Sequence, residues 1–206
     1  MGFLRIPVAC PFGTSYISLQ RFHISREGLL DTTVPEILRF PIGRFKPPEG
    51  YAIAAVQQAI ASIEGLPRKL LARVSSLPDA GWKRQYRPGS WTVQQVTNHI
   101  VDANVNNYTR FKFALTEENP AIKPYLENLW SELPDARAGD MRPALELINA
   151  IHSKWVQTLR TMGEAEFRRG FFHPKLDRVV PLWEAAAMYA WHGEHHLAQI
   201  RTALEA

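Results

Sequence analysis

The chain has 206 residues, of which 46% are hydrophobic and 21% charged, enough for one domain with a substantial buried core. Its net charge is +4, and because the Lys and Arg residues are scattered, the composition argues against a nucleic-acid-binding protein. No apolar run approaches the roughly 18 residues that a membrane-spanning helix needs.

The single cysteine, Cys10, limits the kinds of site that this chain can build. One cysteine excludes an intrachain disulfide, which is typical of proteins from a reducing compartment. It also excludes the cysteine-rich zinc motifs. A metal site in this chain must therefore be built from histidine and carboxylate side chains.

The N-terminal segment, residues 1–40, has no helical periodicity, and Pro7 interrupts its first apolar stretch. It lacks the basic start and the continuous apolar stretch of a secretory signal peptide. We predict that residues 1–40 are a poorly ordered extension, or that the start codon has been assigned too early. Residues 41–206 are predicted to form the domain.

The first predicted long helix covers residues 51–77, where apolar residues recur at helical spacing. Gly65 and Pro67 lie inside this stretch. Because proline lacks the backbone N–H and its ring crowds the preceding turn, we expect a kink or a short interruption there.

The second predicted helix covers residues 93–116 and is preceded by a capping box. In this motif the Thr92 side chain caps the backbone of the first turn, and the Gln95 side chain reaches back to the Thr92 N–H. The motif therefore predicts where the helix begins.

Two more long helices are predicted, over residues 141–163, with Pro143 in the first turn, and over residues 182–205. Two sizeable loops, residues 117–140 and 164–180, connect the last three helices. No segment shows the alternation of apolar and polar residues that is typical of strands. The pattern predicts an all-α protein, a four-helix bundle with long crossing loops.

The last predicted helix contains the stretch "WHGEHHLAQI", residues 191–200, with three histidines in five positions. Residues three or four apart share a helix face, so His192 pairs with either His195 or His196. The buried stripe that includes Ile200 favours His196, whereas His195 lies on a more polar line nearer the rim. Two histidines at this spacing can hold a divalent metal between them, although a pair of solvent-exposed or hydrogen-bonded histidines would show the same spacing.

A third inward-facing histidine, His99, lies beside the apolar stripe of the second predicted helix. Alone, it would more often be a hydrogen-bonded core residue. Combined with the pair on another helix of the same bundle, it favours a three-histidine metal site. Gly193 is expected to let a neighbouring helix approach closely, and Glu194 to face away from the metal.

Other polar residues are candidates for supporting roles. Asp102 is the candidate general base, although an exposed or helix-orienting carboxylate would fit the same position. Asn106 and His173 are candidate substrate contacts, the latter in the loop before the last helix. His152, four residues after Ile148, could face the core, and His23 falls in the N-terminal extension; these two and His173 are weaker candidates for metal ligands.

Four stretches in this order resemble one family: "GSWTVQQVTNHIVDANVNNYTRFKFALTEENPAIKPY", "WSELPDA", "RRGFFHP" and "YAWHGEHHLAQI". Over residues 41–206 the chain resembles the YfiT-type metal-dependent hydrolases of the DinB superfamily. This superfamily of four-helix bundles also includes bacillithiol S-transferases. One local departure is that the family often has two histidines where this chain has Asn98 and His99.

The resemblance implies that His99, His192 and His196 hold one divalent metal per subunit, Zn²⁺ first and Ni²⁺ as the alternative. It also implies a cytoplasmic homodimer. Three neutral imidazoles leave the metal an open position, which is typical of a catalytic site. The first hypothesis is a hydrolase of a small-molecule substrate, with a metal-bound water as nucleophile. The second is an S-transferase of a low-molecular-weight thiol such as bacillithiol, and the third is a non-catalytic binding protein.

Overall fold

A computed structural model describes residues 35–205 of the chain. Its helices and strands are, in chain order, α1 (Glu36–Arg39), α2 (Ile53–Val74), α3 (Asp79–Trp82), α4 (Val93–Thr116), α5 (Glu127–Trp130), α6 (Pro134–Arg137), α7 (Arg142–Thr161), α8 (Glu164–Arg168), β1 (Gly170–His173), β2 (Arg178–Pro181) and α9 (Leu182–Glu205). The four long helices α2, α4, α7 and α9 confirm the predicted four-helix bundle.

The long helices pack in a cyclic order that differs from their order in the chain. The neighbouring pairs are α2 with α9, α2 with α7, α4 with α7, and α4 with α9. Consecutive helices α2 and α4 therefore lie diagonally across the bundle. The last helix lies next to α4, and this places residues about a hundred positions apart in the sequence face to face.

The start of α4 agrees with the capping box. Thr92 Oγ1 accepts a hydrogen bond from the Gln95 N–H at 3.2 Å, and the Gln95 side-chain oxygen accepts one from the Thr92 N–H at 3.0 Å. Both contacts occupy N–H groups that have no partner within the helix. They determine where α4 begins, six positions before His99.

Helix α2 is continuous through Gly65 and Pro67, where an interruption was one of the predicted outcomes. Pro67 has no N–H to donate to the Ile63 carbonyl, one turn earlier. That carbonyl instead accepts a hydrogen bond from Nδ1 of His152, on α7, at 2.7 Å. A side chain from a neighbouring helix therefore satisfies the backbone group that proline leaves unpaired.

We expect His152 and Pro67 to be energetically coupled. At pH 7, His152→Leu should cost about 1–3 kcal/mol, because the buried Ile63 carbonyl loses its donor. In a chain that carries Pro67→Ala, the backbone N–H restored at position 67 supplies that donor, so His152→Leu should cost clearly less. Urea unfolding of the four chains of this double-mutant cycle measures the coupling. Additive costs would show that the two sites are independent.

The loop 164–180 contains α8 and an antiparallel hairpin, which the periodicity of the sequence did not predict. Phe171 pairs with Val180, and both side chains are buried. Each strand has only four residues, too few for a clear alternation of apolar and polar positions. Strand β1 contacts α4 and strand β2 contacts α9, so the hairpin lies against both helices that carry the predicted ligands.

The packing of the bundle extends to residues before Pro41, the predicted first residue of the domain. The short helix α1 precedes that position, and the Gln199 side chain donates a hydrogen bond to the Arg39 carbonyl at 3.2 Å. Most of the predicted extension, residues 1–34 with His23, lies outside the described residues.

Within residues 35–205, no helix combines the length and the apolar character that crossing a membrane requires.

Candidate metal centre

The structure brings together the three histidines that were selected from the sequence. Nε2 of His192 lies 3.1 Å from Nε2 of His99 and 3.1 Å from Nε2 of His196. Each ring contributes one nitrogen, and these three nitrogens all lie within 4.8 Å of one another. Three ring nitrogens from two neighbouring helices therefore converge on one point.

Helix geometry and close packing produce this convergence. His192 and His196 lie on adjacent turns of α9, four residues apart, and His99 faces them from α4. Gly193 lies against α2, where a Cβ atom would come within 2.9 Å of a methyl group of Leu66. The absence of a side chain at Gly193 thus allows α9 to pack closely against α2, as predicted.

Burial keeps the three imidazoles neutral. It lowers the pKa of His99 from 6.5 to about 4, and it holds the pKa values of His192 and His196 well below 6.5. The neighbouring rings lower the last two further, since each would repel a second positive charge. Only a neutral imidazole has a lone pair to offer, so the set is prepared to bind a cation.

A hydrogen bond sets the orientation of the His196 ring. The Gln199 amide nitrogen donates to the backbone carbonyl of Arg39, so its oxygen faces Nδ1 of His196, 2.8 Å away. That oxygen can only accept, and Nδ1 therefore carries the proton. Nε2 of the same ring keeps its lone pair directed at the cluster. Such a partner is typical of metal-binding histidines.

The geometry fits a single divalent metal. Two nitrogens bound to one tetrahedral zinc at 2.0–2.1 Å lie about 3.3 Å apart, close to the separations of 3.1 Å from His192 to its two neighbours. An N–H on one of these nitrogens could pair with only one neighbouring ring, whereas a cation would accept the lone pairs of all three. The donor set consists of three imidazole nitrogens, which suits zinc and nickel better than magnesium or calcium.

The three histidines line a cavity of about 560 Å³. Its walls come from α4, α5, α9, the hairpin and the loop that precedes α5. Trp91, Phe171 and Met188 contribute apolar surface, and the Trp91 ring lies 4.8 Å from the His99 ring. This volume falls within the roughly 300–1,000 Å³ of small-molecule pockets.

The other predicted site residues are divided between the cavity and its surroundings. His173 lines the cavity, whereas Asp102 and Asn106 are not among its lining residues. Burial, and secondarily the Asp135 charge, raises the pKa of Asp102 to about 6. The Asn106 side-chain amide donates to the Asp102 backbone carbonyl at 2.9 Å, so this amide is engaged in a hydrogen bond within its own helix.

Several charged or polar residues of the cavity were not selected from the sequence, among them Arg110, Glu127 and Tyr189. Arg110 follows His99 by eleven residues and therefore projects from nearly the same face of α4, a signal that helical spacing carries. Tyr189 precedes His192 by three residues on α9. Glu127 comes directly after a long loop, where the spacing of residues does not predict which way a side chain points.

His195, His152 and Glu194 lie outside the cluster of three histidines. His195 is only 6% exposed, because its ring stacks on Trp191 and packs near Phe40, so its predicted place near the rim was wrong. His152 faces the core and is 2% exposed. Glu194 bonds to Ser62 and Lys69 on α2, on the side away from the three histidines.

Comparison with known proteins identifies the family. The family model described as the DinB superfamily matches residues 62–200, a range that contains all three histidines. The chain belongs to the DinB superfamily.

Individual relatives agree with this assignment. A Bacillus subtilis protein named "Putative metal-dependent hydrolase YfiT" is 41% identical over 163 residues, which cover 79% of this chain and 92% of the relative. A Geobacillus thermodenitrificans protein, "Putative metal-dependent hydrolase", is also 41% identical over the same shares.

A solved structure of YfiT from Bacillus subtilis superposes with a TM-score of 0.77, covering 80% of this chain and 94% of that chain. That protein is described as a probable metal-dependent hydrolase with an unusual four-helix bundle topology. In this DinB-superfamily chain the consecutive long helices α2 and α4 lie diagonally across the bundle.

Proposed function

We propose that this protein is a metal-dependent hydrolase in which His99, His192 and His196 hold one divalent metal ion, Zn²⁺ or Ni²⁺. The observation that carries the proposal is the convergence of three neutral imidazoles on one point in the wall of a small-molecule-sized cavity. The names of the relatives support it, since they too are described as metal-dependent hydrolases.

The ion would act as a Lewis acid with an open position, lowering the pKa of water or a thiol toward neutrality. The three histidines would hold it without reducing its charge, because each ring is neutral. Gln199 keeps the His196 ring in the required tautomer. Trp91, Phe171 and Met188 limit the water around the reacting atoms.

We assign the general base to Glu127 in preference to Asp102. Glu127 lines the cavity, and its negative charge raises the pKa of His99 against the larger lowering effect of burial. The carboxylate therefore lies close enough to the cluster to interact with it. Burial raises the pKa of Asp102 to about 6, but Asp102 is not among the residues that line the cavity.

The second candidate function is transfer of a low-molecular-weight thiol such as bacillithiol to an electrophile. The donor set supports it as well, because a divalent ion held by three neutral imidazoles can bind a thiolate as readily as water. The same ion would then lower the pKa of the thiol instead of that of water.

An assay of thiol dependence separates the two functions. The metal-loaded protein is incubated with a panel of chromogenic esters and amides and with an aromatic electrophile, each with and without bacillithiol. We expect metal-dependent turnover of at least one ester or amide without thiol, and its loss in Glu127→Gln. If the protein turns over the electrophile but no ester or amide, and does so only when the thiol is present, the hydrolase is rejected and the transferase is supported.

The resemblance to the family also leads us to propose a homodimer that acts in the cytoplasm on a small-molecule substrate. Sedimentation of the metal-loaded chain, giving twice the mass of 23.4 kDa, tests the dimer.

A further inference from the structure

The charged side chains of the cavity are distributed unevenly. The four that line it are Arg110, Glu127, Lys175 and Glu184. Glu127 lies near the cluster, since its charge acts on His99. Arg110 and Lys175 lie near His173, on whose pKa both act. Two cations, Arg110 and Lys175, therefore face the same cavity as the three histidines.

Arg110 is a cation of the cavity without a carboxylate partner. Among residues 35–205, no Asp or Glu oxygen lies within the 4.0 Å of an ion pair with its guanidinium. One of its N–H groups donates to the Tyr189 hydroxyl at 2.9 Å. Because a guanidinium has five N–H donors, most of its hydrogen-bonding capacity remains free for a ligand.

One of the two carboxylates of the cavity, that of Glu184, is already paired with a cation. Both carboxylate oxygens of Glu184 accept hydrogen bonds from the Arg178 guanidinium. Burial lowers the pKa of His173, and the positive charges of Arg110, Lys175 and Arg178 lower it further. Three cations therefore act on His173, and within residues 35–205 no carboxylate lies within ion-pair distance of Arg110.

Arg110 and the histidine cluster face the same cavity at a fixed separation. Arg110 follows His99 by eleven residues, a rise of roughly 16 Å along α4 and an angular offset of about 20°. Long helical side chains lean toward the N-terminus, so the guanidinium reaches back toward His99. Tyr189, whose ring lies 5.9 Å from the His192 ring, bridges the two groups along the wall.

We propose that Arg110 binds an anionic group, a carboxylate or a phosphate, on the molecule whose reacting atom lies at the histidine cluster. This inference rests on the proposed function, because it takes the cluster as the reaction centre. The bonded Tyr189 hydroxyl holds the guanidinium in place. The anion would select substrates, or thiol co-substrates, with an acidic group at a set distance from the reacting atom.

The test uses ligands with a metal-binding thiol at one end. The cobalt(II)-loaded protein is titrated with ω-mercaptocarboxylic acids of increasing chain length, with ω-mercaptoalcohols of matched length, and with the corresponding phosphate monoesters. Calorimetry gives each Kd, and the thiolate-to-cobalt absorption band reports metal binding independently. The acid-to-alcohol affinity ratio at each length isolates the contribution of the anion, and the monoesters distinguish carboxylate from phosphate.

Three variants accompany the wild type. Arg110→Gln removes the positive charge. Arg110→Lys keeps the charge but lacks the planar guanidinium that can form two parallel hydrogen bonds to one anion. Lys112→Gln removes an exposed charge on the same helix, outside the cavity, and is the matched control. Metal content and circular dichroism verify the fold of each chain.

We expect the preferred acid or phosphate to bind at least about tenfold tighter than its matched alcohol in the wild type and in Lys112→Gln. The ratio should fall toward one in Arg110→Gln and be intermediate in Arg110→Lys. A ratio near one at every length, no binding of any acid, or an unchanged ratio in Arg110→Gln would overturn the inference. An Arg110-dependent preference without a thiolate band would support the anion site and count against the histidine cluster as the metal centre.

Discussion

Replacing His192 by alanine should lower the metal affinity by more than about 100-fold. Removing a side chain that only hydrogen-bonds to a metal ligand already lowers the metal affinity roughly 10–100-fold. Loss of one of only three ligands should cost more. His192 is also the ring whose Nε2 lies 3.1 Å from both of the others. Metal analysis after dialysis should fall from about one ion per chain to near zero.

The matched control for this prediction is His195→Ala. His195 is buried on the same helix, but its ring nitrogens are not part of the cluster of three. The variant should retain about one ion per chain, even if its stability falls because Trp191 loses its stacking partner. Equal metal content in His192→Ala and the wild type would contradict the assigned ligands.

Acidification to pH 4.5 should destabilise the wild type by roughly 2–3 kcal/mol more than the double variant Pro67→Ala/His152→Leu. Burial lowers the pKa of His152 from 6.5 to about 4 in the native state. Below pH 6.5 the unfolded chain binds a proton at this position that the native chain does not. The contribution of neutral His152 to the free energy of unfolding is therefore fully present above pH 6.5 and is lost as the pH falls toward 4.

Urea unfolding between pH 7 and about pH 4.5, in the presence of a chelator, measures this difference. The other buried histidines are present in both chains, so their contribution cancels. The double variant keeps a donor for the Ile63 carbonyl, because replacing the proline restores the backbone N–H at position 67. Parallel stability–pH curves for the two chains would show that His152 is not held neutral in the core.

Local signals predicted much of the bundle and the metal centre. The capping box at Thr92 and Gln95 placed the start of α4 correctly. The spacing of four between His192 and His196 and the apolar stripe beside His99 selected the three rings that the structure brings together. These features depend on helix periodicity, which the sequence encodes directly.

Features that depend on contacts between distant segments were not predictable in the same way. His195 was placed near the rim because its helix line is polar, but Trp191 and Phe40 cover it. Helix α2 continues past Pro67 because a histidine 85 positions later replaces the missing donor. Glu127 approaches the cluster from the end of a loop between helices, where no periodicity predicts its direction.

X-ray absorption spectroscopy of the zinc-loaded chain tests the central claim most directly. We expect a first shell with three imidazole nitrogens at about 2.0–2.1 Å and one further light ligand, and the loss of one imidazole in any His99→Ala chain that retains zinc. A first shell with fewer than three imidazoles in the wild type, or one unchanged by His99→Ala, would contradict the three-histidine centre.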